Sequence, residues 1–153
     1  MSEFDLNAVT AGVVGANDTK FPTCPAGEYP GQVRDVVGRQ VPNTRDGGVS
    51  TIADITWIVN DAGVKEALGI SEPTVRQSLF IDLSPETGKV DTGEGKNVRL
   101  GRLREGLGLN DPSIEFSFDL LKGQVAMITV TNTPDKKDPE IMYANVTKVA
   151  PMA

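Results

Sequence analysis

Four groups of residues in this chain have side chains that can do chemistry, and each points to different work. Lys96, Arg99, Arg102 and Arg104 fall between Gly95 and Arg104, a stretch without a single acid and with a local charge of +4. Clustered cations of this kind contact phosphate backbones. Arg76 and Phe80, with Ser78 between them, share one parity of an alternating segment. One cation and one aromatic spaced across a pleat are the parts of a base-stacking platform. Asp82, Asp91 and Glu94 are the acids best placed for general acid–base work. With 21 acids on the chain some proximity is inevitable, so they read as solvated surface charges. Cys24, between Pro22 and Pro25, has no histidine or second cysteine to activate it and reads as an incidental thiol.

Composition removes whole mechanisms. The 153 residues contain no histidine and one cysteine, which excludes Ser-His-Asp and Cys-His catalysis, His-ligated zinc, an intrachain disulfide and a CxxC site. Asp91 to Asn97 lacks the glycine spacing of a phosphate-binding loop and has Asn97 where that motif needs Ser or Thr. The chain is therefore expected to be non-enzymatic, with no cofactor, no metal and no small-molecule substrate. Its net charge of -6 leaves -10 outside the basic stretch, so indiscriminate nucleic-acid binding is disfavoured while a localised contact strip remains open. The first 18 residues have neither a basic n-region nor a continuous apolar stretch, and no apolar window spans a bilayer. The expectation is no membrane contact and a cytoplasmic location, in a host cell if the gene is viral.

Those residues must be positioned by the elements that the hydrophobic pattern predicts. Residues 1–27, rich in Gly, Ala, Thr and Asn and closing in a Pro/Gly cluster, read as an irregular N-terminal arm; residues 28–153 read as one domain. The first strand runs over Glu28–Val41, with Tyr29, Val33 and Val37 among its apolar positions and Gly31 and Gly38 either weakening it or marking bulges. Val49–Val59 alternates without a break and predicts the second strand, with Trp57 as core. A single helical turn is expected near Val64–Leu68. The third strand, Val75–Leu83, points Val75, Leu79, Ile81 and Leu83 one way and Arg76, Ser78, Phe80 and Asp82 the other.

Asn97–Gly108 predicts a helix, because Leu100, Leu103 and Leu107 make one apolar stripe. Asn97 would cap its start, and Gly108 suits the position past its end. Arg99 and Arg102 flank the stripe on one side and Arg104 on the other, so snorkelling along the rim competes with phosphate contact. Gln124–Thr131 and Ile141–Val149 complete five strands, with Phe116 and Phe118 packing as a lid. Three strands, a helix and two more strands is the order of an OB-like barrel; the fold class is mainly β, five-stranded, with one helix between the third and fourth strands. A β-sandwich with a helical insertion is the alternative. Phe80 is open to two placements, exposed as a stacking residue or buried as core.

The run Phe21-Pro22-Thr23-Cys24-Pro25-Ala26-Gly27-Glu28-Tyr29 resembles the Pro-Ala-Gly-x-Tyr opening of a family of small phage single-stranded-DNA-binding-like proteins. Gly95-Lys96-Asn97-Val98-Arg99-Leu100, Leu121-Lys122-Gly123-Gln124-Val125 and Tyr143-Ala144-Asn145-Val146-Thr147-Lys148-Val149 are similar to its later motifs, so the likeness spans residues 21–150. It implies an OB-fold protein acting on single-stranded DNA in replication or recombination.

Residues and resemblance together predict a non-enzymatic protein that coats single-stranded nucleic acid. Phosphate contacts would come from Arg76, Lys96, Arg99, Arg102 and Arg104, and stacking from Phe80 and Tyr29, with assembly into a homo-oligomer left open. The net charge, the sparse aromatics and the lack of an acidic tail in Lys148–Ala153 favour a second reading, a phage accessory, virion-assembly or host-protein-binding module that uses its acidic surface.

Overall fold

Alternation of apolar and polar residues builds the sheet, and the computed structural model describes it over residues 6–13, 15–16, 23–43, 45 and 47–152. Phe21 and Pro22, along with residues 1–5, 14 and 17–20 of the expected arm, lie outside the described residues. The strands are β1 (Gly27–Pro42), β2 (Val49–Val59), β3 (Thr74–Ile81), β4 (Val125–Pro134) and β5 (Met142–Ala150). The order β1-β2-β3-β5-β4 closes on itself through a β1–β4 pairing, so the fold is mainly β with a closed five-stranded sheet. All ladders are antiparallel except β3–β5, which run parallel and pair only at Arg76↔Asn145.

The inner face carries Ala53, Ile55, Trp57 and Val59 from β2, Val75, Leu79 and Ile81 from β3, and Ala126, Ile128 and Val130 from β4. Trp57 is core, as its parity predicts. Its indole Nε1 donates to Gln77 Oε1 at 2.9 Å, which satisfies the polar atom that burial would otherwise penalise. Leu83, expected inward, is 37% exposed because β3 stops at Ile81 and Leu83 instead forms an isolated bridge with Val90.

β1 also differs from its expected facing. A bulge between Val33 and Asp35 inserts one residue, so parity flips: Val33 faces inward opposite Trp57, whereas Val37 lies outward opposite Asp54 and is 53% exposed. Neither glycine marks the bulge. Gly31 instead admits the core, since a Cβ there would stand 2.8 Å from Ile128 Cδ1.

Among the described residues, three α-helices and a 3-10 turn at Phe118–Leu121 accompany the strands. α1 (Leu6–Ala11) is a short turn of helix with no buried residue, lying within the stretch expected to be irregular. α2 (Ala62–Leu68) is capped by Asp61, whose Oδ1 accepts from the Val64 amide at 3.0 Å, and is closed by left-handed Gly69. α3 (Val98–Gly106), between β3 and β4 in sequence, buries Leu100 and Leu103. It ends in a Schellman arrangement: Leu109 N–H donates to Arg104 O at 2.7 Å and Gly108 N–H to Glu105 O at 3.1 Å, with Gly108 at φ 71°. Phe116 and Phe118 meet edge to face, ring centres 5.7 Å apart, against the same core. That core reaches back to Cys24, which is buried and whose carbonyl accepts from Asn132 Nδ2 at 2.9 Å. Cys24 is thus a packed core residue and not an incidental one, and burial raises its thiol pKa, which keeps it unreactive.

Candidate nucleic-acid interface

The strict alternation of β3 decides what faces outward. Thr74, Arg76, Ser78 and Phe80 are exposed while Val75, Gln77, Leu79 and Ile81 are buried. Phe80 keeps 63% of its surface exposed, although Ile52 opposite it on β2 is buried. Arg76 lies between Thr56 of β2 and Asn145 of β5. Alternate residues on one strand face are about 6.6 Å apart, so Arg76, Ser78 and Phe80 form a short row.

The acid beside this row is already engaged. Asp54 Oδ2 accepts from Arg39 Nε at 2.6 Å and Oδ1 accepts from Ser78 Oγ at 2.6 Å. The Arg39 hydrogen bond, with help from Ser78 and the nearby charge of Arg76, holds the Asp54 carboxyl below its usual range against the opposing effect of burial. Arg39 thereby neutralises Asp54, and Arg76 is in no ion pair among the described residues.

β5 supplies the second wall. Arg76, Ser78, Thr133, Tyr143 and Asn145 line a hollow of about 410 Å³. Tyr143 is 49% exposed, and its hydroxyl donates to Asp135 Oδ2 at 2.8 Å. That bond fixes the ring and raises the phenol pKa, while it lowers that of Asp135, whose Oδ1 also accepts the Lys137 and Asp138 amides. Parallel placement of β5 beside β3 sets Tyr143 and Arg76 around the same hollow, which no local pattern foretells.

Beyond Phe80 the chain turns through the loop that holds Lys96. Contrary to expectation, Asn97 at the start of α3 makes no side-chain cap; it adopts a left-handed conformation (φ 54°, ψ 39°) and ties the loop together. Its Oδ1 accepts the Asp82 amide at 2.7 Å, and its Nδ2 donates to the carbonyls of Asp82 at 2.9 Å and Asp91 at 2.8 Å. Lys96, next to this clamp, is exposed at the same end of β3 as Phe80. Asp82 lies just past the strand and not within it, and Asp91 accepts the Gly93 amide at 2.8 Å. Both carboxylates therefore serve the turn.

The remaining expected cations separate. Arg99 and Arg102 are exposed and line an open groove of about 810 Å³ between α3, β3 and β5, together with Lys148. Arg104 is occupied elsewhere: its Nε and Nη2 donate to Leu109 O at 3.3 and 3.1 Å, and its guanidinium lies 4.2 Å from the Phe116 ring centre. Tyr29 does not join Phe80. It packs half-buried on the core side of β1, opposite Ile128, and its hydroxyl donates to Pro25 O at 2.8 Å. Arg39 and Asp54 are the residues that sequence reasoning passed over, and Asn97 the one to which it gave a different task.

Among the described residues no cluster of three or more His, Cys, Asp or Glu could hold a metal ion, and no helix is long and apolar enough to cross a membrane. Compared with known proteins, the chain matches no family model and no curated sequence.

Proposed function

We propose that this chain is a non-enzymatic, OB-fold protein that binds single-stranded DNA, acting in phage replication or recombination in the cytoplasm of the host cell. The observation that carries the reading is Phe80, a large aromatic held in solvent in line with an unpaired Arg76. The sheet order, the parallel β3–β5 pair and the position of α3 between β3 and β4 support an OB-type barrel. Bases stack on Phe80 and Tyr143, because every base has a π-face, and phosphates meet Arg76 and Lys96. Asp54, neutralised by Arg39, does not repel them. Arg104 and Tyr29 have structural duties and fall outside this contact row.

Fluorescence anisotropy with labelled oligo(dT) tests the reading. Each phosphate contact contributes a slope of about -0.7 in log affinity against log salt, so a two-cation row gives a slope of about -1.4, shallow for a nucleic-acid-binding protein. Phe80→Ala removes a stacking contact worth about 1–3 kcal/mol while leaving the fold intact, since the side chain is exposed. No binding at tens of micromolar protein in low salt overturns the reading. A defined homo-oligomer in native mass spectrometry, indifferent to DNA, supports the accessory or virion-assembly module instead.

A further inference from the structure

β3 and β5 are parallel neighbours that pair at one position only, Arg76↔Asn145. Beyond it, Gln77–Leu79 and Val146–Ala150 diverge and carry no ladder to one another, so the closed sheet has an open seam. α3 spans that seam from one end, pressed against β5 so closely that a Cβ on Gly106 would stand 2.5 Å from Val149 O. The space left between the two strand edges and the helix is the groove of about 810 Å³. It falls within the size range of sites that enclose a ligand.

The groove's walls specify an occupant. Two sides are strand edges, which recognise an extended main chain by adding a strand. Arg99 and Arg102 from α3 and Lys148 from β5 line it against one carboxylate, Glu105, and none of these cations is in an ion pair among the described residues. No aromatic side chain lines it, so it offers a nucleobase nothing to stack on, in contrast to the row around Phe80. We infer that this seam is a docking site for an extended acidic peptide segment of a partner protein, seated as an added strand along β3 or β5 with its carboxylates on Arg99, Arg102 and Lys148. The edge from Val146 to Lys148, short of Val149 O where α3 closes in, spans about 7 Å at strand rise, which suits a contact of roughly three residues of the added segment. The site is separate from the proposed DNA row, although Ser78 borders both.

The test uses the full chain and three synthetic probes: the peptide Asp-Val-Asp-Val-Asp-Val, its counterpart with Lys for Asp, and a version with Pro for each Val. Binding is followed by amide chemical shifts in two-dimensional NMR and by anisotropy. The acidic peptide is expected to bind in the micromolar to sub-millimolar range and to shift the amides of 77–79 and 146–148. The Lys peptide should not bind, and the Pro peptide, which lacks strand donors, should bind about tenfold more weakly or worse. Arg99→Glu with Arg102→Glu should abolish peptide binding and leave oligo(dT) affinity within about twofold; Lys148→Ala, a milder exposed change, should weaken the peptide if the double variant misfolds. No binding at millimolar peptide, equal binding of the Pro peptide, or shifts confined to other surfaces overturns the proposal. A loss of oligo(dT) affinity in the Arg99/Arg102 variant, with no peptide bound by the native chain, assigns these cations to nucleic acid instead.

Discussion

Trp57 and Gln77 form a hydrogen-bonded pair inside an otherwise apolar core, indole Nε1 to amide Oε1 at 2.9 Å. Trp57 is fully buried and Gln77 is 8% exposed. Since Trp57 sits opposite Val75 and Gln77 opposite Ile55, the bond runs diagonally across the β2–β3 ladder and holds its register. It also fixes the parity of β3: with Gln77 turned inward, Arg76, Ser78 and Phe80 are turned out.

Gln77→Leu is therefore expected to destabilise the protein by about 1–3 kcal/mol, because it strands the buried indole donor. Trp57→Phe should cost more, since a cavity adds to the unpaired amide. Urea unfolding followed by circular dichroism, run as a double-mutant cycle, checks the pair. A double variant less destabilised than the sum of the singles, by about 1 kcal/mol, is expected; strict additivity would mean that the bond contributes nothing.

Much of this arrangement is legible one residue at a time. The unbroken alternation of β2 sets its ends at Val49 and Val59, and the leucine stripe of α3 marks its buried face correctly. Parity also sets Arg76, Ser78 and Phe80 on one face of β3, but it leaves open whether Phe80 on that face is core or solvent-exposed, which the structure answers as exposed. What fails is whatever depends on a partner distant in sequence. The β1 bulge has no compositional marker, and Gly31, the natural candidate, is small for the sake of Ile128 on another strand. Asn97 looks like a helix cap because that is the commonest local use of asparagine, yet its partners lie on Asp82 and Asp91. Tyr143 and Arg76 line one hollow only because β5 returns parallel to β3. Tyr29 shows the reverse: its residue type fits stacking, but its side chain closes the entry to β1.

Asn97 combines a left-handed backbone with three side-chain bonds to the Asp82 and Asp91 main chain. Asn97→Ala should lose both features and cost about 2–4 kcal/mol, from net hydrogen-bond terms near 1 kcal/mol each and a left-handed penalty of about 1 kcal/mol. Asn97→Gly keeps the backbone freedom and should recover the smaller share. Thermal melts of the two variants separate the contributions; equal melting temperatures would assign all the loss to the side-chain bonds.

The two glycines inside α3 should respond in opposite directions. A Cβ on Gly101 would meet nothing within 4 Å, so Gly101→Ala is expected to stabilise the protein by about 0.5–1 kcal/mol through helix propensity. A Cβ on Gly106 would strike the Val149 carbonyl, so Gly106→Ala should push α3 away from β5 at a cost of about 1–3 kcal/mol. Denaturation midpoints decide the matter, and two variants moving the same way would contradict the helix–strand contact described above.

Acid should weaken the outer face of the sheet through Asp54. Its carboxyl is held below the usual aspartate range chiefly by the Arg39 hydrogen bond, with Ser78 adding a second. A carboxylate with a depressed folded pKa binds fewer protons in the folded chain than in the unfolded one. Its contribution is therefore fully present above the unfolded value and is lost as pH falls through the folded one. Arg39 keeps 45% of its side-chain surface against 12% for Asp54, so screening limits the pair to about 1 kcal/mol or less. Asp54→Asn should lower the melting temperature by a constant amount near neutral pH, and the difference from the native chain should shrink below about pH 4. Thermal melts from pH 7 to pH 3 measure that difference directly. A gap that stays constant across the whole range would show that the Asp54 charge contributes nothing beyond its shape.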